Sequence, residues 1–351
     1  MNPQLAMMTG VASIKTPAPL AKLYLEMAGR RETSGERVMD PKAQLVGELI
    51  NQVRVPGYIP TPAEAREQMM KMRALVDAPA PPLPRKEDRT VPGPAGDIPV
   101  RVYGPRPLDD DEKLPVLCYF HGGGFVQGDL DTHDTACAKL AIWGDFMVVA
   151  IDYRLAPEHP FPAGPEDCYA AYKWLVEHVA ELGGDPARIA VGGDSAGGNL
   201  SAVVSQMAAK HGVALPFAQV LIYPVVDAHH RADSYKEFAE GYVIPADRIA
   251  WYDEMYYQAD GDKDDLRASP ILANDLAGQP PAFVITCGFD PLRDEGEDYA
   301  NRLKAAGVPV SFKEFRGQIH GFISMSAAIP QADECLQDIA VYLRDRFGKG
   351  A

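Results

Sequence analysis

The sequence predicts an α/β fold, a mostly parallel sheet flanked by helices, and three observations carry that prediction. Beyond about residue 85, short apolar runs alternate with helical segments, the rhythm of strand–crossover–strand units. Several middle runs, among them 116–120 and 147–152, are apolar almost throughout, as strands must be when helices cover both faces of their sheet. One run, 188–192, leads into Gly193-Asp194-Ser195-Ala196-Gly197 and then directly into a helix-like stretch at 199–210, so a serine sits on a sharp strand-to-helix turn. Such a turn strains the serine backbone, and glycines two residues before and after it let strand and helix pack closely.

Taken in order, residues 1–80 read as helical and polar. Helices are expected at 20–29 and 41–53, and a third runs to about residue 76 from the capping box Thr61-Pro62-Ala63-Glu64, with proline in its first turn. The proline-rich stretch 78–84 cannot be helical and marks a border. Eight strands follow, at 89–92, 98–103, 116–120, 147–152, 189–193, 219–223, 283–287 and 310–315. Helices are expected at 135–143, 165–182, 199–210, 294–306 and 331–347. Between the strands ending at Tyr223 and starting at Phe283 the chain spends nearly sixty residues, aromatic-rich at 242–257, which is too long for a simple crossover. The expected division is therefore an N-terminal helical region (1–80) contributing to a cap, an α/β domain made of 81–226 and 267–351, and a cap insertion at 227–266.

The chain has 351 residues, 46% of them hydrophobic, enough for a sizeable core. Lys and Arg number 34 against 49 Asp and Glu, and the net charge of -15 argues against nucleic acid and anionic membranes as partners. No run approaches the ~20 apolar residues of a membrane span. The apolar patch at 5–14 has no basic residue before it and is interrupted by Thr9, Gly10 and Ser13, which argues against a signal peptide and for a cytoplasmic protein. Five scattered cysteines without a CxxC pair read as buried free thiols. No zinc spacing is present, and the His229-His230 pair in a polar segment reads as solvated; no metal is expected.

A serine hydroxyl needs a base beside it and an acid that orients the base, and on this kind of turn they follow in the order Ser, Asp or Glu, His. After Ser195 the histidines are His211, at the end of the following helix, His229 and His230, in the long connection, and His320, in a loop after the last strand beside a glycine. His320 is the candidate base. Asp290 is the first carboxylate beyond the strand at 283–287, with Asp294 and Glu295 as competitors whose alternative role is first-turn helix charge. The run His121-Gly122-Gly123-Gly124-Phe125 follows a strand and leaves backbone N–H groups unshielded; Gly123 and Gly124, with Ala196, are candidate donors to a developing oxyanion. His121 itself reads as a loop anchor.

These segments resemble a known family. The motifs at 121–125, 152–158 (Asp-Tyr-Arg-Leu-Ala-Pro-Glu), 193–198, 290–296 and 320–322 look like those of the bacterial hormone-sensitive-lipase-like esterases, the branch with a Gly-Asp-Ser-Ala-Gly elbow. The resemblance implies an α/β-hydrolase fold with a helical cap, a triad of Ser195, Asp290 and His320, and cofactor-free hydrolysis of a small-molecule carboxylic ester. It also implies frequent homodimers, and a loop-stabilising role for Arg154 and Glu158. Amide, lactone or carbamate hydrolysis on the same machinery is the alternative activity. Plant gibberellin receptors resemble the same family and bind a hormone without turnover; such a receptor would lack a working base, whereas Ser195, Asp290 and His320 are all present here. A mixed aromatic and charged cap suits a closed, partly apolar pocket that rewards added methylenes until it is full, and the resemblance implies a range of roughly four to eight acyl carbons.

Overall fold

The computed structural model describes residues 16–348 except 56, 110, 111, 241 and 260, so the apolar patch at 5–14 lies outside the described residues. The chain enters through α1 (Ala18–Met27), a two-stranded antiparallel ribbon of β1 (Thr33–Ser34) and β2 (Arg37–Val38), and helices α2 (Pro41–Val53) and α3 (Pro62–Val76). The capping box forms as its spacing requires: Glu64 N–H donates to Thr61 Oγ1 at 3.3 Å, and Thr61 N–H donates to Glu64 Oε2 at 2.8 Å. The ribbon was not expected, because two-residue strands are too short to display an alternation.

All eight expected strands form one sheet. They are β3 (Arg85–Gly93), β4 (Gly96–Gly104), β5 (Leu114–Phe120), β6 (Met147–Ile151), β7 (Gly184–Asp194), β8 (Gln219–Ile222), β9 (Ala282–Phe289) and β10 (Val310–Ile319), in the spatial order β10-β9-β8-β7-β5-β6-β4-β3. β4 runs antiparallel to both β3 and β6, and the other pairings are parallel. Connecting them are α4 (Asp134–Gly144), α5 (Ala163–His178), α6 (Ala196–His211), α7 (Asp233–Glu237), α8 (Ala246–Tyr256), α9 (Arg293–Ala305) and α10 (Gln331–Gly348).

The core has two halves because successive strand residues point to opposite faces. In β5, Leu117 and Tyr119 pack with α4 and α10, whose Leu140, Leu336 and Leu343 belong to the same cluster. Val116, Cys118 and Phe120 face the other way, toward Leu175 of α5 and Leu200 of α6. A sheet buried on both sides has no room for polar alternation, hence the unbroken apolar runs. All five cysteines are free and buried, as expected. Among the described residues no helix is long and apolar enough to cross a membrane.

One consequence of the parallel order concerns chemistry. The segments that follow β5, β7, β9 and β10 all emerge at the same sheet edge, and they carry the glycine run, Ser195, Asp290 and His320 respectively.

Candidate active site

Ser195 sits between β7 and α6 at φ 57°, ψ -115°, a backbone conformation that side-chain-bearing residues avoid. Its surroundings over-determine it. Ser195 N–H donates to the Ile222 carbonyl of β8 at 2.8 Å, and its own carbonyl accepts from Asn199 N–H at 3.1 Å. The flanking glycines are required by contact: a Cβ on Gly193 or Gly197 would stand 2.2 or 1.8 Å from the Phe120 carbonyl oxygen.

Asp194, for which no sequence motif predicts a role, fastens the elbow to the glycine run. Its Oδ1 accepts from Tyr119 Oη at 2.8 Å and from Gly122 N–H at 3.0 Å, with His133 Nε2 at 3.2 Å. Burial by itself would raise this carboxyl, but His133, Arg73 and the Tyr119 hydroxyl outweigh it and hold the group below the usual carboxylate range. An ionised post therefore pins the residue before Ser195 to the start of the glycine run.

His320 Nε2 lies 2.9 Å from Ser195 Oγ, and its Nδ1 lies 2.8 Å from Asp290 Oδ2. Asp290 is wholly buried and its other oxygen accepts from Leu292 N–H at 2.9 Å, so its orientation is set from both ends. The competing carboxylates point elsewhere. Asp294 accepts from Ser234 N–H at 2.9 Å and Arg293 Nε at 2.7 Å, and Glu295 accepts from Val226 N–H at 2.7 Å.

Gly123 and Gly124 adopt φ 127° and 62°, and a Cβ there would meet the Gln127 carbonyl at 2.2 Å and the Tyr252 ring at 2.5 Å. The N–H groups of Gly123, Gly124 and Ala196 donate to no protein acceptor among the described residues. They remain available to an oxyanion beside Ser195. His121 stacks on Tyr153 with ring centroids 4.3 Å apart, and its Nδ1 lies 2.9 Å from the Gly122 carbonyl. Burial first, then the neighbouring His133, pushes its pKa down to about 4, so it is neutral at neutral pH. That suits the anchor expected from the sequence.

With this geometry in place, comparison with known proteins identifies the group. A sequence profile described as the α/β-hydrolase fold matches residues 117–324. A carboxylic ester hydrolase of Mycobacterium tuberculosis is 41% identical over 319 residues, covering 88% of this chain and 83% of that protein. The chain belongs to the hormone-sensitive-lipase-like carboxylesterases of the α/β-hydrolase family. This carboxylesterase is also 42% identical over 242 residues to an ethyl acetate hydrolase of Pseudomonas putida, covering 68% of this chain and 76% of that one. Its backbone matches, with a TM-score of 0.84, the structure of an ester hydrolase from the metagenome of Lake Arreo complexed with a bipyridine phosphonate derivative; identity is 40%, and 88% of this chain and 99% of that chain are covered.

Ser195, His320 and the glycine run open into a cavity of about 520 Å³. Further walls come from α2, α3 and α8 and from the segments that flank them, with Leu49, Met69, Met72, Tyr252 and Tyr256 among the lining residues. Gln127 ties these parts together: its Oε1 accepts from Tyr252 Oη at 2.5 Å, and its Nε2 donates to the Ala65 carbonyl of α3. Phe125 stacks on Tyr256 of α8 at 4.1 Å with the rings 4° apart. Arg154 bonds Asp167 with Nε and Nη2 at 2.8 Å each, and Glu158 takes two bonds from Arg66 of α3 at 2.9 and 2.6 Å, so both brace loops as the resemblance implied.

One expectation is corrected. His229 is partly exposed, 2.8 Å from Asp264, but His230 is not solvated. Its side chain is 8% exposed, lines the cavity, and stands 3.4 Å from Asp253 and 3.8 Å from Glu295. The segment around it packs against the start of α9, with Ser234 Oγ donating to the Pro291 carbonyl at 2.7 Å, a contact that no local pattern in a polar stretch could reveal.

Proposed function

We propose that this enzyme hydrolyses carboxylic esters of short to medium acyl length through an acyl-enzyme, with Ser195 as nucleophile, His320 as general base and Asp290 as the group that orients it. Ser195 Oγ attacks the ester carbonyl while His320 Nε2 takes its proton, and Asp290 stabilises the imidazolium through Nδ1. The tetrahedral oxyanion is held by the N–H groups of Gly123, Gly124 and Ala196. His320 then protonates the departing alcohol, and water repeats the sequence to release the acid. The observation that carries this reading is the continuous relay of 2.9 and 2.8 Å from Ser195 Oγ to Asp290, opening into a lined cavity. The described residues within 1–80 and 227–266 act as the cap over that cavity, and the working form is a homodimer, as the family resemblance implies.

The test is a panel of p-nitrophenyl esters beside the matching p-nitroanilides, with a phosphonate label and peptide mapping. Esters are expected to turn over far faster, because an alkoxide or phenolate leaves more readily than an amine, and the label is expected on Ser195 alone. Faster anilide cleavage would move the assignment to amides, and labelling at any other residue would remove Ser195 from the mechanism.

A further inference from the structure

We propose that the cavity carries a cationic subsite, Arg54 with Arg248, which binds a carboxylate at the end of the substrate remote from the scissile ester, so that the preferred substrates are half-esters of dicarboxylic acids. This rests on the ester-hydrolase reading above and narrows its substrate class. Arg54 stands at the C-terminal end of α2 and Arg248 on α8, so the two guanidinium groups approach the cavity from different walls. Among the described residues neither has a carboxylate at ion-pair distance: Arg54 Nη2 reaches the Tyr242 and Val243 carbonyls at 3.4 and 3.3 Å, and Arg248 lies 5.2 Å over the Trp251 ring. The acids lining the same cavity are already engaged. Asp194 is held by Tyr119, Gly122 and His133, and Asp253 by Lys263 Nζ at 2.5 Å and His230 at 3.4 Å. A third cavity guanidinium, Arg73, is the counter-charge that helps keep Asp194 ionised.

Two under-compensated like charges facing one space raise the energy of the empty site. Burial lowers the pKa of Arg54; Asp247 offsets part of this from beyond contact, and Arg248 lowers it again. A carboxylate between them would relieve the repulsion and accept the directed bonds that guanidinium groups favour. A chain of net charge -15 repels anions at long range, so local cations are what an anionic substrate needs for entry. Placement puts the cations beyond the oxyanion donors: the Tyr252 ring covers Gly124, and Arg248 precedes Tyr252 by one turn of the same helix, so half-esters of six and eight carbons are the probes of the span.

The experiment compares monoethyl adipate and monoethyl suberate with ethyl hexanoate and ethyl octanoate by pH-stat. Wild-type kcat/KM on each half-ester is expected to equal or exceed that on the neutral ester of the same length. Arg54→Gln and Arg248→Gln are each expected to lower the half-ester to neutral-ester ratio about tenfold, mainly through KM, while lysine at either position retains most of it. As a measurement free of variants, suberate dianion should compete with ethyl octanoate in the wild type more strongly than 1-octanol does. Wild-type preference for neutral esters by a hundredfold, weaker competition by suberate than by octanol, or equal loss on both substrates in the glutamine variants would each overturn the subsite and leave the ester reading standing. Hydrolysis of none of the four esters would overturn the ester reading itself.

Discussion

Asp290 and Asp294 show how one turn of chain separates two carboxylates of the same type. Asp290 leaves β9 just before the helix begins, is wholly buried and meets His320 Nδ1 at 2.8 Å. Asp294, four residues on, is turned to Ser234 N–H and Arg293. Asp290→Asn is therefore expected to lower kcat by about 10³- to 10⁴-fold with the fold intact, because an amide cannot stabilise the imidazolium and favours the wrong tautomer. Asp294→Asn is expected to cost less than about tenfold in kcat and to act through a lower melting temperature, because it loses the charge paired with Arg293. Steady-state kinetics with melting curves on both variants decide; the reverse ranking would move the acid to Asp294.

At the scale of elements, α2, α3 and α8 line the cavity that opens onto Ser195. They form walls of the cavity, and Gln127 holds α3 and α8 to the glycine run through Ala65 and Tyr252. In a space of about 520 Å³, the aliphatic and aromatic part of the lining rewards each added methylene until it is covered. On neutral esters kcat/KM is expected to rise by up to a factor reflecting about 0.8 kcal/mol per methylene and to level off within roughly four to eight acyl carbons. Long-chain triglyceride emulsions are expected to be poor substrates. Specificity constants across an acyl series check this, and a rise continuing through long chains, or activation at an oil–water interface, would mean that these helices do not close the cavity.

For the whole molecule, two buried histidines shape stability against pH in opposite senses. His230 is lowered by its burial but raised further by Asp253 and Glu295, to about 9 from an ordinary 6.5. Burial pushes Glu295 up, and His230 pulls it back. Folding takes up a proton at His230, so the stability from it is complete below pH ~6.5 and is lost as pH rises through about 9. His121, depressed to about 4, is folded in its neutral form, so stability falls as pH drops from ~6.5 toward that value. Melting temperature is expected to peak near neutrality. His230→Gln is expected to flatten the alkaline limb between about pH 6.5 and 9 and leave the acid limb in place. An unchanged alkaline limb would place the titration elsewhere.

Local pattern determined the succession of eight strands, the helices between them, the capping box at Thr61 and the glycine-framed turn at Ser195, because each is a property of a few adjacent residues: period, apolarity and the absence of a Cβ. It also narrowed base and acid to short loops, since these follow particular strands. What only the tertiary structure decided is which side chains meet across more than sixty residues of chain. The sheet order places β5 between β6 and β7, bringing Gly122 to Asp194; the segment after β8 buries His230 beside Glu295; and the end of α2 and α8 bring Arg54 and Arg248 to one cavity. Such pairings depend on how strands are ordered and how a long connection returns. No window of sequence contains both partners, so no local rule can express the contact.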